Sequence, residues 1–320
     1  MTRVPAILIA DYPDRNDTAV RAVSQWYIGD VSLEHVADGA SFTYRFVASG
    51  KRRYLRLTPP GWRTAAEIAG EIAFIQHLES KGIPLARPLW SVRGEPIEAI
   101  ECSLGTCLAV VFEGIAGRVT DDGQWSPDQA REAGRLMARM HLAACDFELP
   151  PDTARQTWRD ELRGLEGELR GDETDLRATV AAITQRLELL PTTPDCYGIV
   201  HFDLSGDNLI WRNLSPSAID FDDCMLHWYV ADIARTLVCM REMAGGRIGP
   251  LETAFLDGYR ERRQIEAEWM LLLPMFLQLA AISELAWMTY ASRSAAGHIE
   301  FSSEDDARLR QMIAGLSGAT

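Results

Sequence analysis

The sequence is poor in the spacings that announce several common protein machines. Its six cysteines, Cys102, Cys107, Cys145, Cys196, Cys224 and Cys239, form no Cys-x-x-Cys pair, so a disulfide framework or zinc ribbon has no carrier and reduced, partly buried thiols are expected. His35, His77, His141, His227 and His298 are scattered without zinc spacing. No Gly-x-x-x-x-Gly-Lys and no Gly-x-Gly-x-x-Gly occurs, which removes the P-loop and dinucleotide-binding readings. Basic residues are also scarce: 32 Lys and Arg face 46 Asp and Glu, a net charge of −14. A surface that acidic argues against non-specific binding to nucleic acid or anionic lipid. It leaves room for a nucleotide held with magnesium in a local pocket. The N-terminal apolar run Ala6 to Ala10 ends at Asp11, too short for a signal-peptide core. The longest apolar stretch, Trp269 to Tyr290, contains Pro274, Gln278 and Glu284, which suits a buried helix better than a membrane span. A cytoplasmic protein with neither membrane nor nucleic acid as partner is the expectation; the oligomeric state is not legible.

What is present is an ordinary globular mix, 47% hydrophobic and 24% charged, in a chain long enough for a large core without staples. The first part reads as mixed and the rest as helical. A short helix fits Asp17 to Tyr27. Ser41 to Val47 and Tyr54 to Leu57 alternate apolar and polar residues around the tip Ser49-Gly50-Lys51-Arg52, a hairpin signature. Thr64-Ala-Ala-Glu67 is a capping box opening a helix to about Ser80, with Gly82 ending it. On that helix Glu71 falls on the apolar face of Ile68, Ile75 and Leu78. A carboxylate there is costly unless it meets a cation. Further strands fit Leu89 to Phe112, and Ser126-Pro127 opens another helix reaching about His141. The boundary falls near Glu113, giving residues 1–112 as a sheet-rich lobe and 113–320 as a helical lobe.

Two segments carry chemistry: Ile199-Val-His201-Phe-Asp203-Leu-Ser-Gly-Asp-Asn208-Leu-Ile-Trp211 and Ala218-Ile-Asp220-Phe-Asp222-Asp223. Each polar cluster is flanked by β-forming apolar residues, so short buried strands are expected to deliver polar side chains at their ends. Between Asn208 and Asp220 there is room for a strand, a turn at Asn213 to Pro216 and a return strand. One proton-accepting carboxylate beside an Asn and an Asp suits magnesium, which takes oxygen ligands together with phosphate oxygens. Asp203 and Asn208 taken alone would read as turn residues; with His201 and Asp220 in register they read as a site.

His-x-Asp-x-x-x-x-Asn followed by Ile-Asp-Phe resembles the catalytic and metal loops of protein-kinase-like phosphotransferases. Asp232-Ile-Ala234 extends the likeness, which is closest in flavour to the aminoglycoside phosphotransferase superfamily with its choline-kinase-like and homoserine-type members. The resemblance implies an α+β protein-kinase-like fold: a small antiparallel-sheet lobe with one key helix, and a larger helical lobe. It implies an ATP- and Mg2+-dependent transfer of the γ-phosphoryl group to the hydroxyl of a small-molecule acceptor. By that resemblance Asp203 is the catalytic base, Asn208 and Asp220 hold the metal, and Arg56 paired with Glu71 contacts phosphate. Gly39, Ser41 and Thr43 belong to the loop over the phosphates. Phe112, Glu113 and Gly114 form a hinge that meets adenine through its backbone. His201 and Asp232 are structural supports. Asp222 and Asp223 either bind a cationic substrate or cap a helix, capping being the simpler role for one of them. Arg56 replaces the commoner Lys, the phosphate loop carries only Gly39, and Phe202 and Ser205-Gly206 are unusual for the superfamily. Those departures leave open a nucleotide-binding module without transfer. A protein Ser/Thr kinase ranks lower, because no Ala-Pro-Glu segment is present.

Overall fold

The structure, a computed structural model, describes residues 12–38, 41–120, 125–243, 249–293 and 302–316. A short helix α1 (Arg15–Val23) precedes the strands β1 (Glu34–Asp38), β2 (Phe42–Ala48) and β3 (Lys51–Thr58). The hairpin between β2 and β3 turns on Ser49 and Gly50, both at positive φ, and is tighter than the four-residue tip expected from sequence. Helix α2 (Ala65–Ser80) follows, then β4 (Pro88–Leu89), β5 (Glu98–Cys102) and β6 (Gly105–Glu113). The six strands form one antiparallel sheet in the order β1-β2-β3-β6, with β4 and β5 both on β6.

Strand alternation decides what each face of this sheet carries. Phe42, Tyr44 and Phe46 of β2, Leu55 and Leu57 of β3 and Val111 of β6 point to one face, where they pack with Ala19, Ala22 and Val23 of α1. Arg56, between Leu55 and Leu57, must therefore point to the other face, against α2. The Thr64–Glu67 capping box forms in both directions at the start of α2. Ile68 and Ile72 pack on Val110 of the sheet, whereas Phe74, Ile75 and Leu78 join the large core of the remaining chain. Helix α2 thus ties the sheet to the helical part.

The helical part comprises α3 (Pro127–Ala144), α4 (Trp158–Glu168), α5 (Thr174–Leu187), α6 (Tyr229–Met243), α7 (Gly249–Arg260), α8 (Ala267–Arg293) and α9 (Ser303–Leu316). Helices α3 and α7 cross with their backbones in contact: a Cβ on Gly134 would strike the Phe255 carbonyl, and one on Gly258 the Arg131 carbonyl. Helix α8 is long and apolar enough to cross a membrane by length and composition. Here Phe276, Leu277, Ala281, Ile282 and Leu285 are buried in the core, and α8 packs on α6 and α9. Inserted between α5 and α6 are β7 (Tyr197–Val200), the 3-10 turn Gly206–Asn208, β8 (Leu209–Arg212), β9 (Ser215–Ala218) and β10 (Met225–Trp228). β7 pairs with β10, and β8 with β9 across a two-residue turn at Asn213-Leu214. These two small ladders present the loops that carry the polar clusters.

Candidate active site

The loop after β7 is bolted from below. Phe202 sits at φ 67°, in the left-handed region that bulky residues avoid. Its N–H donates to Asp232 Oδ1 at 2.8 Å, which offsets that strain. The other oxygen of Asp232 accepts from His141 Nε2 at 2.8 Å, and His141 Nδ1 accepts from the Tyr259 hydroxyl at 2.8 Å. All three side chains are buried. His201 Nε2 donates to the Ile219 carbonyl at 3.0 Å and its Nδ1 accepts from Asp203 N at 3.3 Å, so a neutral imidazole joins the two loops. Burial pushes the pKa of both histidines down, as a neutral bracing role requires. His201 and Asp232 thus lie beneath the site, where the sequence reading put its supports.

Above this platform the polar side chains converge on a cleft of about 480 Å³. Asn208 Nδ2 donates to both the backbone carbonyl and Oδ2 of Asp203, at 2.8 and 2.7 Å. Because its amide nitrogen is spent there, the Asn208 oxygen is left as an acceptor. Burial, reinforced by Asp223, pushes the Asp203 pKa well above the ordinary carboxylate range, with Arg235 opposing. Asp220 also adopts a left-handed backbone, φ 58°. Its carboxylate opens onto the cleft, yet it is so hemmed in by protein that burial lifts its pKa to about 6 against the pull of Arg56.

Arg56 and Glu71 meet as the helix-face argument demanded. The guanidinium forks onto the carboxylate at 2.8 and 2.5 Å, and Glu71 is fully buried. Arg56 Nη1 lies 3.9 Å from Asp220 Oδ1 and 3.7 Å from Asp222 Oδ1. Asp222 is otherwise tied down: Trp62 Nε1 and Arg63 Nε donate to its Oδ2 at 3.1 and 3.3 Å. Arg63 Nη2 also reaches Asp223 Oδ1 at 2.8 Å, and Arg155 bonds the Asp222 carbonyl. Burial works against the Asp222 charge, but Arg63, Arg56 and Arg155 outweigh it and hold the pKa below the carboxylate range. Neither Asp222 nor Asp223 caps a helix, because the next element is strand β10.

The remaining expectations distribute unevenly. Ser41 and Thr43 line the cleft, Ser41 hydrogen-bonded to Thr58 at 3.1 Å; Gly39 lies outside the described residues. Phe112, Glu113 and Gly114 are not in the cleft wall. The Phe112 ring lies under Arg56, 5.2 Å from its guanidinium carbon. The Glu113 and Gly114 amides donate to the Arg87 and Arg52 carbonyls at 2.8 and 3.0 Å, so neither N–H is available to a base docking at this strand end. Several residues were not singled out from sequence: Trp62 in the cleft wall and Arg63 buried behind it, both adjoining the capping box, and Glu161, Glu168, Arg235 and Glu284 lining the cleft from α4, α6 and α8. Two of these carried a signal: Arg235 lies three residues after Asp232, and Glu284 interrupts the apolar stretch Trp269 to Tyr290.

The donor set fits a hard cation. Asn208 and Asp220 offer oxygens, and Arg56 Nε and Asp222 Oδ1 are buried without hydrogen-bond partners, orphaned polar atoms of the sort a phosphate or cation would satisfy. No group of three or more His, Cys, Asp or Glu among the described residues forms a closed metal cage. Magnesium does not need one, since it takes one or two protein oxygens and fills its shell with phosphate and water.

A six-stranded antiparallel sheet with one bracing helix, set on a helical body whose loops bring an Asp-Asn pair against a second Asp, defines the kinase-like phosphotransferase class. Residues 32–269 match the model of the phosphotransferase enzyme family, and the chain belongs to that family. The chain is similar to amicoumacin kinase of Bacillus subtilis (strain 168), 27% identical over 268 residues, covering 81% of this chain and 80% of that one. It is also similar to homoserine kinase of Methylobacillus glycogenes, 27% identical over 259 residues, 79% and 77% of the two chains. Among solved structures, an amicoumacin kinase bound to AMP-PNP, Ca2+ and Ami superposes with a TM-score of 0.83 at 25% identity, covering 96% and 94%. A microcompartment-associated aminopropanol kinase superposes with a TM-score of 0.76 at 22% identity, covering 94% and 95%, which bears on the fold. The α+β kinase-like fold expected from sequence is the fold observed.

Proposed function

We propose that the protein is an ATP- and Mg2+-dependent kinase that phosphorylates a hydroxyl of a small molecule. The observation that carries this reading is the convergence of Asp203, Asp220 and the Glu71-braced Arg56 on one cleft, with Asn208 hydrogen-bonded to Asp203. In the proposed step the acceptor oxygen bonds the γ-phosphorus as the bond to the β-γ bridging oxygen breaks and ADP leaves; the hydroxyl proton passes to Asp203. A carboxylate whose burial raises its pKa is better matched to that proton than an ordinary Asp. Asn208, hydrogen-bonded to Asp203, orients that carboxylate, and its own oxygen would be one of the donors that hold the metal. Asp220 supplies the second metal oxygen, and Arg56 places fixed positive charge beside the phosphates. Magnesium, when bound, neutralises phosphate charge. Little covalent work is left to the protein, so positioning and charge compensation carry the rate. Ser41 and Thr43, with Gly39, are assigned to the phosphate-facing edge, and the strand end at Phe112, Glu113 and Gly114 to the adenine side through groups other than the two committed amides. The cytoplasm, where ATP and magnesium are at hand, is the proposed place of action.

The test is ADP release from MgATP against pooled hydroxyl compounds, with Asp203→Asn as control. Release in one pool that is lost in the variant is the expected result. Release that persists in Asp203→Asn would overturn the role of Asp203. Tight nucleotide binding indifferent to magnesium, with no release in any pool, would point instead to a regulatory module.

A further inference from the structure

We infer that Arg155 is a positioning residue for phosphoryl transfer: it fixes the Arg56–Glu71 pair against the loop that carries Asp220. The inference rests on the kinase reading above and adds to it a residue that touches neither metal nor phosphate. Arg155 lies on the connection between α3 and α4, and its side chain is buried. Each nitrogen of its guanidinium donates to a main-chain carbonyl. Nε reaches that of Cys224 at 2.7 Å, Nη2 that of Asp222, and Nη1 that of Glu67 at 3.0 Å. The first two carbonyls follow Asp220 in its loop, and the third lies in the first turn of α2. One planar group thus spans the two elements that must act on the phosphates together.

The neighbours of Arg155 in the chain bridge the same gap. The Ala154 amide donates to the Ala66 carbonyl of α2 at 3.0 Å, and the Gln156 carbonyl accepts from the Leu226 amide of β10 at 2.8 Å. Gly70 permits this approach, since a Cβ there would strike the Ala154 carbonyl. The helix ladder carries the tie on to the site. Within α2 the Glu71 amide donates to the Glu67 carbonyl, so Arg155 grips the carbonyl beneath the residue that braces Arg56. Arg56 Nη1 in turn lies 3.9 Å from Asp220 Oδ1. Arg63 also reaches the Asp222 carbonyl, at 3.0 Å, but its other contacts are the carboxylates of Asp222 and Asp223. It holds the loop without gripping the body of α2. Contacts to carbonyls read backbone position and not side-chain identity. A lysine would keep the charge, yet its single nitrogen cannot span three carbonyls on two elements. In kinase-like sites the helix bearing the bracing Glu must be in place for transfer. Here every partner in the tie is protein, so the tie needs no nucleotide to form.

Calorimetry of the full chain with ATP, with and without magnesium, reads the tie before any acceptor is known. Without metal the nucleotide meets the Arg56 side alone; with metal both elements must meet the phosphates at once, and their spacing counts. In Arg155→Lys the gain in affinity that magnesium gives the wild type is expected to fall by about tenfold or more, the scale on which small misplacements act, while metal-free affinity is unchanged. A role in stability alone would lower the melting temperature and leave the magnesium gain of the folded variant intact. That result overturns the inference, and so does an equal loss of affinity with and without metal. A wild type whose nucleotide binding ignores magnesium overturns the kinase reading itself, and the inference with it. If Arg155→Lys fails to fold, hydrogen exchange of the wild-type Ala154 amide decides. That amide is held by α2 and is expected to exchange slowly in the absence of nucleotide. Slowing by about tenfold or more on addition of AMP-PNP and magnesium would show that nucleotide, not the chain, makes the tie, and would overturn the inference.

Discussion

Asp220 and Asp222 stand two residues apart on one loop, and their surroundings treat them in opposite ways. Asp222 is buried against Trp62 and Arg63, with Arg56 and Arg155 close by, and its ionised form is favoured. Asp220, like Asp203 across the cleft, has its charge opposed by burial. The wall of the site, where Glu71 and one oxygen of Asp222 are matched to arginines, is largely finished protein, with Asp222 Oδ1 left over at its edge. The floor, where Asp203 and Asp220 face the cleft, is charge awaiting a counter-charge. Structural acids are satisfied within the fold, whereas acids meant for a ligand are left in deficit. The comparison sorts carboxylates that sequence alone writes with the same letter.

Breaking the wall should cost stability first. Arg56→Met leaves Glu71 fully buried without its cation, a loss of about 3–5 kcal/mol by analogy with other broken buried pairs. Urea unfolding of the variant measures it. The double replacement Arg56→Met with Glu71→Leu should regain most of that stability and none of the phosphoryl transfer, which separates the pair's structural role from its role toward phosphate. If the single variant is as stable as wild type, the wall is not what holds this lobe.

Disturbing the floor should cost activity instead. Asp203→Asn keeps an oxygen for the Asn208 amide and should lower transfer by about 10²–10⁴-fold, with a melting temperature within a degree or so of wild type. Asp220→Asn is the sharper case. Asparagine tolerates the left-handed backbone that Asp220 adopts, so the exchange carries no conformational penalty. It also removes a charge that burial opposes. The ligand-free variant should melt at or slightly above the wild-type temperature while losing magnesium-dependent nucleotide binding, the usual exchange of function for stability. A clear drop in melting temperature would place Asp220 with the wall.

How much of this was legible beforehand follows from the range of the interactions. The Thr64–Glu67 box, the β2-β3 hairpin and the strands around Asp203 and Asp220 are local, and periodicity and turn residues reveal them. Glu71 was legible as a misfit, a carboxylate on an apolar face, and its partner followed from the resemblance. Arg63 and Arg155 were not legible: one adjoins a helix cap and the other lies in a loop, and only folding brings them to Asp222 from 159 and 67 residues away. Glu161 and Glu168 sit on an amphipathic helix where a carboxylate reads as solvent-facing; Glu284 interrupts an apolar helix, but nothing local says that α4 and α8 enclose a cleft. The strand end at Phe112 to Gly114 is a different case. Its position was legible, but which amides β4 and β3 would consume depends on strand register.

The smallest expected effect concerns the platform beneath both regions. His141 is buried between Asp232 and Tyr259, and burial lowers its pKa from 6.5 despite the pull of Asp232. The unfolded chain therefore takes up a proton at His141 before the folded one does. The stability linked to this group is present above pH 6.5 and is lost as pH falls through 6.5 toward the folded value, at no more than about 1.4 kcal/mol per pH unit. His201 adds a second contribution of the same sign. Melting temperatures measured between pH 7.5 and pH 5.5 should fall in the wild type and fall less steeply in His141→Gln, whose amide can still donate to Asp232. The slope is the informative quantity, since the variant loses packing at every pH. Equal slopes would mean that folding leaves the His141 pKa unchanged, and a wild type that falls less steeply than the variant would mean that His141 is charged in the fold beside Asp232, in place of the neutral relay.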